Sequence, residues 1–283
     1  MAIKENHDRE YTFSEREFNK LRKIANDHTG IIVTDDKYDM YYARLVKRIR
    51  TLGLPGFSDY VKYLDAHMDS EFTPFIDSIT TNLTSFFRES HHFDVMKSTI
   101  IPELCTRADT AQGIKVWSAG CSTGEEPYTV AITLLEGLEG VRSAPRASIL
   151  ASDIDTTVLA KASKGVYEIA RVEGLEKSIK KRWFFKGKGS NSGYVRVSPE
   201  LHKIIEFRQV NLMKDWPIRN RFHIIFCRNV VIYFDKPTKV KLLNRYADQL
   251  VDGGYLILGH SESIQGISDR FETIGKTVYK KIK

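Results

Sequence analysis

Residues 114–131 read Ile-Lys-Val-Trp-Ser-Ala-Gly-Cys-Ser-Thr-Gly-Glu-Glu-Pro-Tyr-Thr-Val-Ala: an apolar run, a loop of small residues, then a helix start. A second apolar run, 147–151, ends on Ser152-Asp153-Ile154-Asp155. That order is the layout of a nucleotide-binding βαβ unit, and it forces two parallel neighbouring strands. Apolar runs at 204–210, 222–226 and 255–258 continue the series, separated mostly by helical patterns such as 127–138 and 238–250. Alternation of this kind predicts an α/β fold with a mostly parallel, doubly wound sheet. A final stretch, 271–282, reads as an antiparallel strand pair turning at Gly275-Lys276.

The glycine loop narrows the ligand. Its glycines let backbone approach a ligand closely, and an acid at the second strand's tip can grip ribose hydroxyls. Asp153, however, follows Gly124 by 29 residues, where a dinucleotide fingerprint expects about 20. The loop reads G-x-x-x-G, and Glu125 with Glu126 opens its helix. Two carboxylates there would repel a pyrophosphate, although helix N-termini attract anions in general. An adenosine ligand without phosphates fits better, and S-adenosylmethionine is the candidate.

A chain of 283 residues can hold one large or two modest domains with a real core. No apolar run approaches the roughly 18 residues that span a bilayer, and Met1 to Asp8 lack the apolar stretch of a leader peptide. Cys105, Cys121 and Cys227 are scattered, without C-x-x-C spacing, which argues against disulfides or zinc and for a reducing compartment. His91 and His92 are adjacent, so on a helix they diverge and do not pair on a metal. No metal site is expected. The net charge of +7 is uneven: residues 160–190 carry 9 basic and 3 acidic side chains, and 40–63 carry 5 and 1. Such patches are solvated faces or docking sites for anionic partners.

Before residue 114 no strand is convincing. Ser14 and Glu17 match a capping box ahead of Phe18, Leu21, Ile24 and Ala25. Thr34 can cap a second helix with Tyr41, Leu45, Ile49 and Leu52 on one stripe. Arg44, Lys47 and Arg48 stack on a neighbouring face, flanked by Arg50. The expected division is a helical domain at 1–80, a linker at 81–92 and a sheet domain at 93–283. Within the last, residues 165–203 break the rhythm around Gly187-Lys188-Gly189-Ser190-Asn191-Ser192-Gly193. Aromatic and β-branched residues flank this loop, Trp183-Phe184-Phe185 before it and Tyr194-Val195-Arg196-Val197 after, so an inserted antiparallel pair is expected. A segment this long inside a compact domain is usually functional.

Three segments taken together are more specific than a generic fold. They are Thr80-Thr81-Asn82-Leu83-Thr84-Ser85-Phe86-Phe87-Arg88-Glu89, then 117–128, and Phe226-Cys227-Arg228-Asn229-Val230-Val231-Ile232-Tyr233-Phe234-Asp235. This set closely resembles the chemotaxis receptor methyltransferases, the CheR family, over nearly the whole chain from Phe13 to Tyr279. The resemblance implies a Rossmann-like class I methyltransferase sheet with a small all-helical N-terminal domain and an inserted β-subdomain. It implies methyl transfer from S-adenosyl-L-methionine to glutamates of bacterial chemoreceptors, leaving S-adenosyl-L-homocysteine and glutamyl γ-methyl esters. By the same resemblance Asn82, Thr84, Arg88 and Glu126 approach the methionine end, with Gly120 in the loop. Asp153 takes the ribose, Asn211 and Leu212 border the adenine, and Arg228 and Asn229 close the site with Tyr233 nearby.

The chemistry agrees with the residues. A glutamate carboxylate, with pKa about 4.3, is already an anion at neutral pH and needs no general base. Holding it in line with a sulfonium methyl can contribute roughly 7–11 kcal/mol. Arginine suits the clamp because its fork is bidentate; Arg88 is the first candidate and Arg228 the second. Phe86, Phe87 and Trp117 read as core. Cys121 stands where a small residue is expected and could expose the site to thiol reagents. The receptor's cytoplasmic helical bundle could dock on Arg44, Lys47, Arg48 and Arg50. The segment with Gly187, Gly189, Gly193 and Arg196 matches the family's subdomain for a receptor's C-terminal pentapeptide. A cytoplasmic monomer recruited to membrane receptor arrays is expected, without membrane insertion. A nucleic-acid methyltransferase is disfavoured, because 227–230 lack the Asn/Asp-Pro-Pro-aromatic motif of amino-group methylation.

Overall fold

The computed structural model describes residues 9–283; the expectation about a leader in residues 1–8 lies outside them. Four helices come first: α1 (Glu15–Thr29), α2 (Tyr38–Leu52), α3 (Phe57–Ala66) and α4 (Met68–Ile79). The capping box starts α1 as expected, with the Ser14 amide 2.7 Å from Glu17 Oε2 and the Glu17 amide 3.4 Å from Ser14 Oγ. Thr34 does not cap α2. It precedes a short 3₁₀ turn, Asp35–Lys37, and its hydroxyl bonds Asp36 instead of a backbone amide. The apolar stripes of the helices meet in one core around Phe18, Leu21, Tyr41, Leu45, Ile49, Tyr60 and Phe75.

The remaining strands are β1 (Ile114–Ala119), β2 (Ala147–Asp153), β3 (Val166–Glu168), β4 (Phe184–Lys186), β5 (Tyr194–Val197), β6 (Ile205–Gln209), β7 (Phe222–Cys227), β8 (Leu250–Leu258), β9 (Phe271–Gly275) and β10 (Val278–Lys281). Seven form one sheet in the order β6-β2-β1-β7-β8-β10-β9. The first five are mutually parallel, and β10 runs antiparallel to both β8 and β9. Both faces are covered, so successive side chains along a strand enter different cores. Val116, Ile149, Ile224 and Ile257 join one cluster, while Trp117, Leu150, Ile225 and Leu256 join the other. Helices Glu125–Gly137, Thr156–Lys164 and Lys236–Gln249 cross between the parallel strands.

Two boundaries differ from expectation. Strand β8 begins at Leu250, not 255, because Leu250 pairs with Phe222 across a register shift that absorbs the glycine pair at 253–254. The insertion forms three strands instead of two, in the order β3-β5-β4. Its extra member, Val-Tyr-Glu, is too short to display a period.

The helical part is tied to the sheet part by specific bonds. The Ile32 amide donates to Tyr233 O at 2.8 Å, and Asn211 Nδ2 to His28 O at 2.8 Å. The Thr156 amide donates to Asp77 Oδ1 at 2.9 Å. Arg44 lies along the seam and donates to the carbonyls of Ile79 and Thr80 at 2.7 and 2.6 Å.

Candidate active site

Strand order reverses about β1: the chain moves outward to β2 and β6, then crosses back to β7. Ligands in open parallel sheets sit beyond the carboxyl ends of strands at such a point. Gly120 follows β1, Asp153 ends β2, Val210 and Asn211 follow β6, and Arg228 and Asn229 follow β7. These positions border one cleft holding about 1310 Å³ of space, its open mouth included. Asn82, Thr84, Arg88, Glu126, Leu212 and Tyr233 line it too. All the residues expected to bind cofactor or act on substrate therefore come together.

Close packing explains the loop glycines. Gly120 has φ +88°, and a Cβ there would meet Val230 Cγ2 at 2.5 Å. Gly124 has φ +98°, with the Tyr167 hydroxyl 2.7 Å from the same imagined atom. Neither position admits a side chain without moving a neighbour.

A buried charge network occupies the closed end. Arg228 Nη1 lies 3.2 Å from Glu126 Oε2, and its Nη2 lies 3.3 Å from Glu89 Oε2 and donates to the Arg88 carbonyl. Ser118 Oγ donates to the other Glu126 oxygen at 2.7 Å. Burial pushes the Glu126 carboxyl up, opposed by Arg228. Burial also raises Glu89, but hydrogen bonds from His260 and the charge of Arg228 override it and hold the carboxyl at about 2. Arg228 is thus already engaged by two acids. Arg88 is freer: Nη1 donates to Leu83 O at 2.8 Å, and its nearest acid, Glu89, is 4.0 Å away.

At the opposite side Asp153 is 8% exposed and accepts from the amides of Ser122 at 2.8 Å and Asp155 at 3.0 Å. Burial pushes its carboxyl up to about 6. Each oxygen retains a lone pair for a further donor. Asn82 Nδ2 donates to Asp155 Oδ2 at 2.7 Å, which fixes the linker against the tip of β2. Asn211 has both side-chain amide atoms engaged, Nδ2 by His28 O and Oδ1 by the Met213 amide at 2.9 Å. One N–H and one carbonyl lone pair remain for a ligand.

Several supports were not read from the sequence. Thr29, Ile31, Val33, Lys37, Met40 and Tyr41, all from the helical domain, form a cleft wall. Arg171, in the insertion, donates to Thr84 O at 2.7 Å and pairs with buried Glu125. Glu262 accepts from the amides of Asn229, Ile232 and Gly259 at 2.8, 3.0 and 2.7 Å, pinning the loop after β7. An acid just beyond an apolar strand, in Gly259-His260-Ser261-Glu262, was the available signal for the last.

Other expectations resolve differently. Phe86 is core, edge-on to Tyr167 and Phe184 at 5.0 and 5.2 Å, and Trp117 is fully buried. The concern about thiol reagents at Cys121 is corrected: the side chain is 1% exposed, and burial drives the thiol well above its ordinary range, so it is inert. The docking and tether candidates lie away from the cleft lining. Arg48 forms a two-pronged pair with Glu71, which is 2% exposed, and Arg50 pairs with Glu10. Among the described residues Lys47 is the one cation of the four without a side-chain partner.

The donor set suits S-adenosylmethionine. A buried carboxylate, Glu126, meets the need of an ammonium, and Asp153 meets that of paired hydroxyls. Ile31, Ile154, Val210 and Leu212 offer apolar surface to a ring. Among the described residues Arg228, which lines the cleft, keeps a buried Nε without a hydrogen-bond partner. Fold and cleft together define a class I S-adenosylmethionine-dependent methyltransferase. Residues 82–280 match the CheR methyltransferase SAM-binding domain, and residues 16–80 match the CheR methyltransferase all-alpha domain. The chain is 42% identical over 271 residues to Chemotaxis protein methyltransferase 2 of Pseudomonas aeruginosa, covering 95% of this chain and 94% of that one. It is 43% identical over 270 residues to the Chemotaxis protein methyltransferase of Salmonella typhimurium, covering 94% and 90%. The chain belongs to the CheR methyltransferase family.

Proposed function

We propose that this protein transfers the methyl group of S-adenosylmethionine to glutamate side chains of bacterial chemoreceptors, forming γ-methyl esters for chemotactic adaptation. The observation that carries this reading is the division of labour between the two cleft arginines. Arg228 is held by Glu126 and Glu89, while the Arg88 guanidinium keeps donors free for an incoming carboxylate. S-adenosylmethionine, when bound, supplies an electrophilic methyl on its sulfonium. Glu126 would hold its ammonium and Asp153 its ribose, with Asn82, Thr84, Gly120 and Asn229 along the same wall. Arg88 orients the acceptor, which is already an anion at neutral pH, and Tyr233 borders it. No proton has to be removed from the nucleophile.

Recognition of the receptor would use two further surfaces. Lys47, with Arg44, Arg48 and Arg50 around it, faces the glutamate-bearing helical bundle. In the inserted sheet Val166 and Phe185 pair in register with Arg196 on β5, leaving an exposed apolar surface around a cation. β3 and β4 are the outer strands of this small sheet, and the receptor's C-terminal pentapeptide could extend it by adding a strand at one of them. Gly187, Gly189 and Gly193 form the turn beside that surface. Such a tether raises local enzyme concentration at a cytoplasmic receptor array without altering the active site.

Incubation of purified protein with methyl-labelled S-adenosylmethionine and receptor-bearing bacterial membranes tests this. Label on a receptor band, released as volatile methanol by mild base, is the expected result. Base-stable label, or label on nucleic acid, refutes it.

A further inference from the structure

Tyr41 carries a buried hydroxyl with no hydrogen-bond partner among the described residues. The residue is 1% exposed, and its ring packs edge-on against Phe18 at 5.5 Å. Its Oη has no partner among the described residues. Buried phenols ordinarily find one. Burial also drives its ionisation far above the phenol's ordinary range, so the group is a neutral donor. Tyr41 sits on α2 in the helical domain, yet it lines the cleft with Thr29, Met40, Ile79 and Ile154. Ile154 follows Asp153 directly and packs against the helical core that contains Tyr41. Ile154 thus joins the Tyr41 wall to the Asp153 end of the cleft, where the ribose is proposed to lie. Of the polar side chains lining the same cleft, Thr29 donates to Ala25 O and Asn211 already makes one bond through each amide atom.

We infer that the Tyr41 hydroxyl donates a hydrogen bond to a ring nitrogen of the purine base of the bound ligand, so that the helical domain itself reads the nucleobase. This rests on the cleft taking S-adenosylmethionine, as proposed above. The helical domain then contributes to cofactor binding besides facing the receptor.

Calorimetric titration of the full chain with S-adenosylhomocysteine, for wild type and Y41F, provides the test. Loss of one neutral hydrogen bond weakens binding roughly 2- to 12-fold. Analogues lacking single ring nitrogens (1-deaza, 3-deaza and 7-deaza) identify the acceptor. One of them should bind wild type more weakly, and Y41F should not distinguish it from the parent. Ligand-free Y41F should melt at the wild-type temperature or above, since no internal bond is lost. Unchanged affinity in Y41F while wild type binds overturns this inference alone. A lowered ligand-free melting temperature also overturns it, by assigning the hydroxyl an internal role. Failure of wild type to bind S-adenosylhomocysteine overturns the cofactor reading and this inference with it.

Discussion

Arg228 and Glu126, 102 residues apart in the chain, meet as an ion pair at 3.2 Å with both side chains nearly buried. The same guanidinium reaches Glu89, so it fastens the start of the helix after β1 to the linker that carries Arg88. Removing one partner of such a pair leaves an uncompensated buried charge, which costs about 3–5 kcal/mol. R228A should therefore lower unfolding stability by that order as well as abolish methyl transfer, measured by urea titration beside activity. R228K should recover part of the stability, because a point charge serves one acid but not both.

Asp153 gives the protein an acid-side signature. Its folded pKa of about 6 lies above its unfolded value near 4, so the native state binds the proton more tightly. Stability then falls as pH rises from about 4 to 6, by up to about 3 kcal/mol, and is flat for this group above that window. D153N should remove this component from the pH dependence of ligand-free unfolding. Hydroxyl donors favour the ionised carboxylate, so S-adenosylhomocysteine affinity should drop below pH 6 in wild type and lose that drop in D153N.

Arg171 connects the inserted sheet to the cleft by holding both Thr84 O and Glu125. R171A should raise KM for S-adenosylmethionine about 3- to 10-fold, the order of one or two lost hydrogen bonds. Steady-state kinetics at varied cofactor concentration measures this. An unchanged KM would show that the insertion does not buttress the cofactor loop.

Charge on α2 is best probed at Lys47. K47E should reduce receptor kcat/KM several-fold at low salt, with the deficit shrinking as ionic strength rises. R48E answers a different question, because it strands Glu71 in the helical core and should lower the melting temperature of the domain.

How far the sequence reaches depends on the range of the interaction involved. The glycine loop, Asp153 and the 226–235 segment are encoded locally at strand ends, and each was legible. The wall from Thr29 to Tyr41 was not, because its place in the cleft depends on contacts such as Ile32 to Tyr233, which are 201 residues apart. Arg48 reads in the sequence as a docking cation on a basic face, and its pairing with Glu71, 23 residues on, is visible only in the fold. Thr34 had the right chemistry for a cap, but the 3₁₀ turn at Asp35–Lys37 displaced the helix start by three residues. Strand β3 shows no period at three residues and is defined only by its pairing with β5.

Helix α2 runs from Tyr41 in the ligand's wall to Lys47 on the outer face. At 1.5 Å per residue these lie about 9 Å apart along the axis of one unbroken rod. A receptor helix that shifts this rod on seating would move the ligand's wall by the same displacement. Were Lys47 the docking point and Tyr41 the base contact, as proposed, substrate arrival and cofactor grip would be mechanically joined, although separate parts of the chain encode them.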